Sequence, residues 1–325
     1  MPWDSVPWFT EGGAEHSSEV ARLLAYSAFG GAEGIVGAGD LQVRALSSPA
    51  AAIRVTTGAC AILNRAPGAS YQAYAGRMPT SDQVSIAATG VSARSDLIIA
   101  RIENPYAAGE PWANPSNPKV GPYIYTRVIS NVPKTTTSVR QVRPNDSAIT
   151  LARIDIPANT SSITQAMIKD LREMGRPRRD RRLYTASPSG DENWGGNGGS
   201  WVKWPPSARW SVEVPSWATK ARIVMNVAGT QVLNGGIWCA SAWQLGSSIQ
   251  GQSVQIDTGA SDRSERIHMI SADTRALPSS YRGTVQELSA LIWLESSEPG
   301  VLQADVATTA IADVEWVEDP YEDET

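Results

Sequence analysis

The sequence predicts a mainly β protein of two modules: a β-rich N-terminal module with two short helices, then an antiparallel β-sandwich or jelly roll. Three observations carry this. Short β-branched segments bounded by glycine, proline and asparagine recur from Leu41 to Ile156. A second set of alternating segments, with almost no helical pattern, follows Arg182. The composition also changes there: nine of the twelve tryptophans lie after Arg182, while phenylalanine is confined to Phe9 and Phe29. A chain of 325 residues has room for about two domains at roughly 100–200 residues each. The expected modules are therefore 1–182 and 183–325.

In order, the first ten residues hold Trp3, Trp8 and two prolines, and read as an extended docking arm. A helix follows. Ser17 or Ser18 can cap it, Glu19 suits its first turn, and Val20, Leu23, Leu24 and Ala28 form its apolar stripe. Gly30 and Gly31 end it. Residues 34–40, Gly-Ile-Val-Gly-Ala-Gly-Asp, lead from a helix into a strand. A phosphate loop needs the opposite order, so nucleotide binding is not expected. Strands are expected at Ala52–Thr56, Gln83–Ala87, Asp96–Ile102 and Pro122–Ile129, with a proline-rich loop over Ala107–Gly121. Ala152, Ile154 and Ile156 share one face of a further strand.

A second helix is expected where Ser162 and Gln165 have capping-box spacing and Ile163, Met167 and Leu171 fall at i, i+4 and i+8. Arg172, Arg176, Arg178, Arg179, Arg181 and Arg182, with Ser187–Asp191, read as a linker. After a glycine-rich loop at Asn193–Trp201, strands are expected around Val212, Met225, Met269, Ala290 and Val314.

Several function classes are disfavoured. The formal net charge of −5 argues against a general nucleic-acid binder, which needs a basic face. No apolar run is long enough for a membrane span. The N-terminus has no basic or apolar signal region, so synthesis and folding in a cytoplasm are expected. Cys60 and Cys239, one per module, read as buried free thiols rather than a disulfide framework. His16 and His268 sit in no catalytic or metal motif, so no metal or cofactor is expected and catalysis is not anticipated. A glycosidase needs only two carboxylates. Asp40, Asp96, Asp155 and Asp257 are the candidates, and nothing local singles out a pair.

The tryptophans are the informative residues. Trp210 and one of Trp238 or Trp243 are expected in the core. Trp194, Trp201, Trp204 and Trp217 are the candidate contacts, suited either to a sugar surface or to a subunit interface.

A set of phrases in the first module stands in order: Gly12-Gly-Ala-Glu-His-Ser-Ser-Glu-Val-Ala-Arg-Leu-Leu-Ala-Tyr, Gly31-Ala-Glu-Gly, Arg54-Val-Thr-Thr-Gly-Ala, Arg94-Ser-Asp-Leu-Ile-Ile-Ala-Arg-Ile-Glu-Asn-Pro and Leu151-Ala-Arg-Ile-Asp-Ile-Pro. Over roughly residues 7–182 this resembles minor tail proteins of tailed phages that infect actinobacteria. In the second module, Val214-Pro-Ser-Trp-Ala-Thr-Lys-Ala-Arg looks like the opening of a jelly-roll tail domain. The resemblance implies an attachment module fastened to the tail tip and a variable host-facing module. It implies a homotrimer in the virion, with other tail proteins and a host cell-surface glycan as partners. The alternatives are a cell-wall polysaccharide-degrading enzyme and a non-viral carbohydrate-binding module.

Overall fold

The computed structural model describes residues 17–109, 112–195, 199–259, 264–295 and 299–320. Trp3, Trp8 and His16 lie outside the described residues. The chain divides into two compact units between Pro177 and Arg178, inside the arginine cluster rather than after it.

The first unit opens with helix α1 (Ser18–Ala28). The Ser17 hydroxyl accepts the Glu19 N–H at 3.1 Å, and Gly30 and Gly31 take positive φ just past the end. The buried side of the helix is not the expected one. Leu23 and Leu24 are exposed, whereas Ala21, Arg22, Ala25, Tyr26 and Phe29 form the half-buried face. Specific partners decide this. Arg22 donates to Gln72 at 2.5 Å and lies over the Tyr74 ring, and Tyr26 meets Tyr71 edge-on at 5.6 Å.

The strands that follow are β1 (Gly34–Ile35), β2 (Val43–Ala50), β3 (Ala52–Val55), β4 (Gly58–Leu63), β5 (Ala73–Met78), β6 (Asp82–Ser85), β7 (Arg94–Ile102), β8 (Ile124–Val132), β9 (Ala148–Ile156) and β10 (Ile168–Asp170). They form three antiparallel sheets, ordered β1-β4-β5, β2-β3-β6 and β10-β9-β7-β8. β7 is buried on both faces. Ile98, Ala100 and Ile102 join the main core, and Leu97 and Ile99 join a smaller one with Val132 and Val139. β9 carries a bulge at Leu151, because Ile98 pairs with Ala152 while Ile99 pairs with Thr150. One extra residue shifts the alternation. Ile149 and Leu151 therefore reach the same core as Ala152, Ile154 and Ile156.

The second expected helix is absent. Gln165–Met167 form one 3-10 turn, and the chain then pairs with β9 as β10. The Gln165 side chain accepts the Ala45 N–H at 2.9 Å instead of capping a helix, and the Ile163 N–H donates to Ala50 O. A sheet edge with open hydrogen-bonding groups outcompetes a short helix of weak nucleus. Arg172, counted above with the linker, is buried. It clasps Asp170 and donates to Ala38 O (3.1 Å) and Asp40 O (2.7 Å), which fixes the glycine-rich loop from within.

In the second unit the strands are β11 (Arg179–Ala186), β12 (Glu192–Trp194), β13 (Val202–Lys203), β14 (Arg209–Glu213), β15 (Lys220–Leu233), β16 (Trp238–Leu245), β17 (Ile249–Gln250), β18 (Val254–Asp257), β19 (Glu265–Ala276), β20 (Val285–Leu294), β21 (Val301–Ala304) and β22 (Thr309–Val317). One sheet runs β11-β22-β15-β21-β12, with β19 on the other side of β15. The other runs β13-β20-β16-β17, with β14 also on β20 and β18 also on β16. Every second residue of β20 (Leu288, Ala290, Ile292, Leu294) and of β22 (Ala310, Ala312, Val314, Trp316) enters one shared core. This is the sandwich pattern. Gly229, at φ +78°, makes a bulge in β15 and moves the buried positions from Val227 to Thr230 and Val232.

The expected arginine linker is strand β11. Arg179 and Arg181 on it, and Arg178 just before it, pair with acidic residues on and just after β22. Arg181 grips Asp313, Arg179 reaches Glu315 at 3.3 Å, and Arg178 reaches the buried Glu318 at 2.7 Å. Two opposite charge runs far apart in sequence thus form a cross-strand ladder.

Both cysteines are buried and free. Burial pushes each thiol up to about 12, with the Asp40 charge adding to the effect at Cys60. At pH 8 the thiolate is the reactive form. The native protein is therefore expected to leave both thiols unlabelled by a disulfide reagent and to expose two on unfolding in urea, as counted by absorbance.

Candidate functional site

The register of the sandwich sorts the tryptophans. Trp204, Trp243 and Trp316 are core residues. Trp204 is turned inward because its N–H pairs with Ala290 O, on the buried alternation of β20. Trp194 pairs with the buried Leu302, and Trp217 stacks beneath the Arg178 guanidinium at 5.3 Å. Trp194, Trp210 and Trp217 are half-buried against the same core. Of the expected contacts Trp194, Trp201, Trp204 and Trp217, only Trp201 is exposed, at 37%.

Two residues outside that expectation join it on the outer face of the second sheet. Trp293 alternates with the core residues Ile292 and Leu294, so it points away from the core. Trp238, on neighbouring β16, is 41% exposed and meets Trp293 edge-to-face at 5.7 Å and 86°. Trp201 immediately precedes Val202, the partner of Ile292, and so continues the Trp293 row. The Gly199 Cα also stands at the Trp293 ring edge, where an added Cβ would lie 3.3 Å from Nε1. On strand spacing and rise, the three tryptophans span about 12 Å of sheet.

Polar groups alternate with the rings. Ala240 pairs with Trp293 on one side and Gln255 on the other, and Trp238 pairs with Asp257. The Glu295 N–H donates to Trp238 O at 3.0 Å, which places Glu295 on the opposite side of Trp238 from Asp257. Further along the sheet Lys203 is paired with Glu287 at 2.5 Å, and that ammonium holds the Glu287 carboxyl below its usual range. Arg209 donates to Lys203 O.

The other candidate carboxylates have structural work. Asp40 accepts the Gly37 and Ala59 N–H groups at 2.9 and 3.1 Å. Asp96 is clasped by Arg94 and accepts the Asn131 N–H. Asp155 is clasped by Arg153 and bonded by Ser95, and the Arg153 hydrogen bond holds it below the usual carboxylate range. His268 is exposed on β19. Among the described residues, no group of three His, Cys, Asp or Glu side chains is placed to hold a metal ion.

The first unit has an open cleft of about 730 Å³ beside α1, bordered by Arg22, Gln72, Tyr74, Asn104 and Tyr123. Several of its polar groups are spent on one another: Arg22 and Asn64 both donate to Gln72, and Asn104 donates to Tyr74. The tryptophan face is the better candidate.

Elsewhere in the sandwich, the Arg266 hydrogen bond holds the Asp305 carboxyl down at about 2. A carboxylate depressed below its unfolded value of roughly 3.9 contributes stability above that pH, and the contribution is lost as pH falls toward 2. A carbon-detected NMR titration of Asp305 is expected to give a midpoint near 2, and Arg266→Ala is expected to raise it.

No family model matches the chain, and no curated protein matches it. Among solved structures, infectious bursal disease virus (Gx strain) aligns at 11% identity over 89% of this chain and 80% of that chain, with a TM-score of 0.24. The carbohydrate-binding module TmCBM61, in complex with β-1,4-galactotriose, aligns at 10% identity over 43% of this chain and 88% of that chain, with a TM-score of 0.16. The insecticidal δ-endotoxin Cry8Ea1 of Bacillus thuringiensis aligns at 6% identity over 86% of this chain and 52% of that chain, with a TM-score of 0.20. Similarity at this level carries no argument about function.

Proposed function

We propose that this chain is a structural component of a phage tail tip. Its first unit anchors it among other tail proteins, and its second unit contacts the host surface through the outer face of its second sheet. The observation that supports this reading most is the outer face where exposed Trp201 and Trp238 flank the half-buried Trp293. Large flat aromatic side chains on a rigid strand lattice make a recognition surface at low entropic cost. The resemblance in the first module supplies the tail. The protein works in this reading as a homotrimer in the virion, without cofactor and without catalysis.

A hydrolase is the second reading, because Asp257 and Glu295 stand two strand spacings apart, about 10 Å. That is close to the separation of an inverting pair. The Trp238 indole stands between them, where such an enzyme needs the scissile sugar and its water. The carboxylates are therefore read as hydrogen-bonding groups. Mass photometry at micromolar concentration tests the assembly: a trimer is expected, and monomers alone would contradict it.

A further inference from the structure

Three features compete for a role beyond anchoring. The first-unit cleft has its central polar groups, Arg22, Asn64, Gln72, Tyr74 and Asn104, paired with one another. The exposed Leu183, Val224 and Ile270 on the first sheet of the sandwich are apolar, and nothing identifies what covers them. The tryptophan face differs, because its chemistry names a ligand.

We infer that this face binds a neutral glycan chain, with Trp238 and Trp293 as stacking platforms, Trp201 extending the run, and Asp257 and Gln255 bonding the sugar hydroxyls. The inference rests on the reading of the second unit as the surface-contacting part. Each row of the face mixes ring and polar group: Gln255, Ala240, Trp293 in one, Asp257, Trp238, Glu295 in the next. A protein-binding hot spot would look different, since Asp and Glu are depleted where such interfaces are driest. A sugar ring needs this mixture. Its C–H face covers an indole, and its equatorial hydroxyls donate to carboxylates and amides at the ring edge.

Charge decides which glycans fit. The Asp257 carboxylate stands beside Trp238, and the Lys203 ammonium is already paired with Glu287. A uronate or phosphate-bearing polymer would meet like charge at Trp238. The span of about 12 Å across three rings exceeds one sugar ring, so a chain is favoured over a monosaccharide.

The test is affinity electrophoresis of the full chain in native gels containing soluble galactan, arabinogalactan, mannan or β-glucan, with polygalacturonate as the anionic polymer. At least one neutral polymer is expected to retard the protein, and polygalacturonate is not. Trp238→Ala and Trp293→Ala are each expected to weaken the retarding interaction about tenfold or more, the range of a buried aromatic anchor. Trp238 is surface-exposed, so its variant is expected to keep the wild-type circular dichroism, and Trp238→Phe retains part of the binding. Retardation by none of the neutral polymers overturns the inference, as does retardation unchanged in both alanine variants. A Trp238→Ala variant that loses oligomeric mass in light scattering while no neutral polymer binds assigns the face to a second copy of the chain and also overturns it. A chain found in the tail that binds no neutral polymer overturns this inference alone. One that binds glycan but is missing from the particle overturns the tail reading alone.

Discussion

Trp243→Ala is expected to destabilise the second unit by about 3–5 kcal/mol. Trp243 is fully buried at the centre of the sandwich. Its ring lies so close to Gly251 that a Cβ there would fall 2.2 Å from Trp243 Cε2. Neighbours fitted this tightly cannot collapse into the space an alanine leaves. Among the described residues, however, the indole N–H finds no hydrogen-bond acceptor. An unpaired buried donor costs on the order of 1–3 kcal/mol. Trp243→Phe removes that donor along with part of the ring, so its loss is expected to be less than half that of alanine. Urea unfolding read by tryptophan fluorescence checks both variants, because nine of the twelve tryptophans lie after Arg182 and report mainly on this unit. At a slope of 1–3 kcal/mol per molar, the alanine variant should lose roughly 2 M of midpoint.

The second large effect is expected in the first unit. Asp96 is wholly buried in β7, held by two Arg94 hydrogen bonds at 2.8 and 2.9 Å and by the Asn131 N–H at 3.0 Å. Arg94→Ala leaves that buried carboxylate with the Asn131 N–H alone of these donors. Breaking a buried pair in this way costs about 3–5 kcal/mol. One consequence separates charge from lost packing. The double variant Arg94→Met/Asp96→Leu should be far milder than Arg94→Ala, because no charge is left stranded. Hydrogen exchange over β7 and β9, resolved by mass spectrometry, reports this locally where a two-unit unfolding curve would blur it.

Strand alternation was the legible part of the fold. Leu288, Ala290, Ile292 and Leu294 announce a strand with an apolar face, and that face enters the core as their spacing implies, although Ser289 and Leu291 on the other face are buried as well. The same spacing turns the half-buried Trp293 to the opposite face, a signal present in the sequence and not used. Less legible were features set by pairing. Trp201 and Trp204 look alike in sequence. Their odd separation puts them on opposite faces, but only the register against β20 says which face is the core. The bulges at Leu151 and Gly229 shift the alternation without a clear mark in a single sequence. The apolar spacing of Ile163, Met167 and Leu171 is helical, yet those residues lie beside a sheet edge that recruits the backbone. The arginines of β11 looked like a linker because their partners, Asp313 and Glu315, are more than a hundred residues away.

Whether this protein is a tail-tip component is tested most directly by locating it in the intact particle. On the proposed reading, subunit-resolved electron microscopy of a tailed-phage particle containing the chain is predicted to show three copies at the tail tip, with first units seated on neighbouring tail proteins and the Trp238–Trp293 faces turned outward. A particle that lacks the chain, or holds it with that face sealed against another tail subunit, would contradict the account.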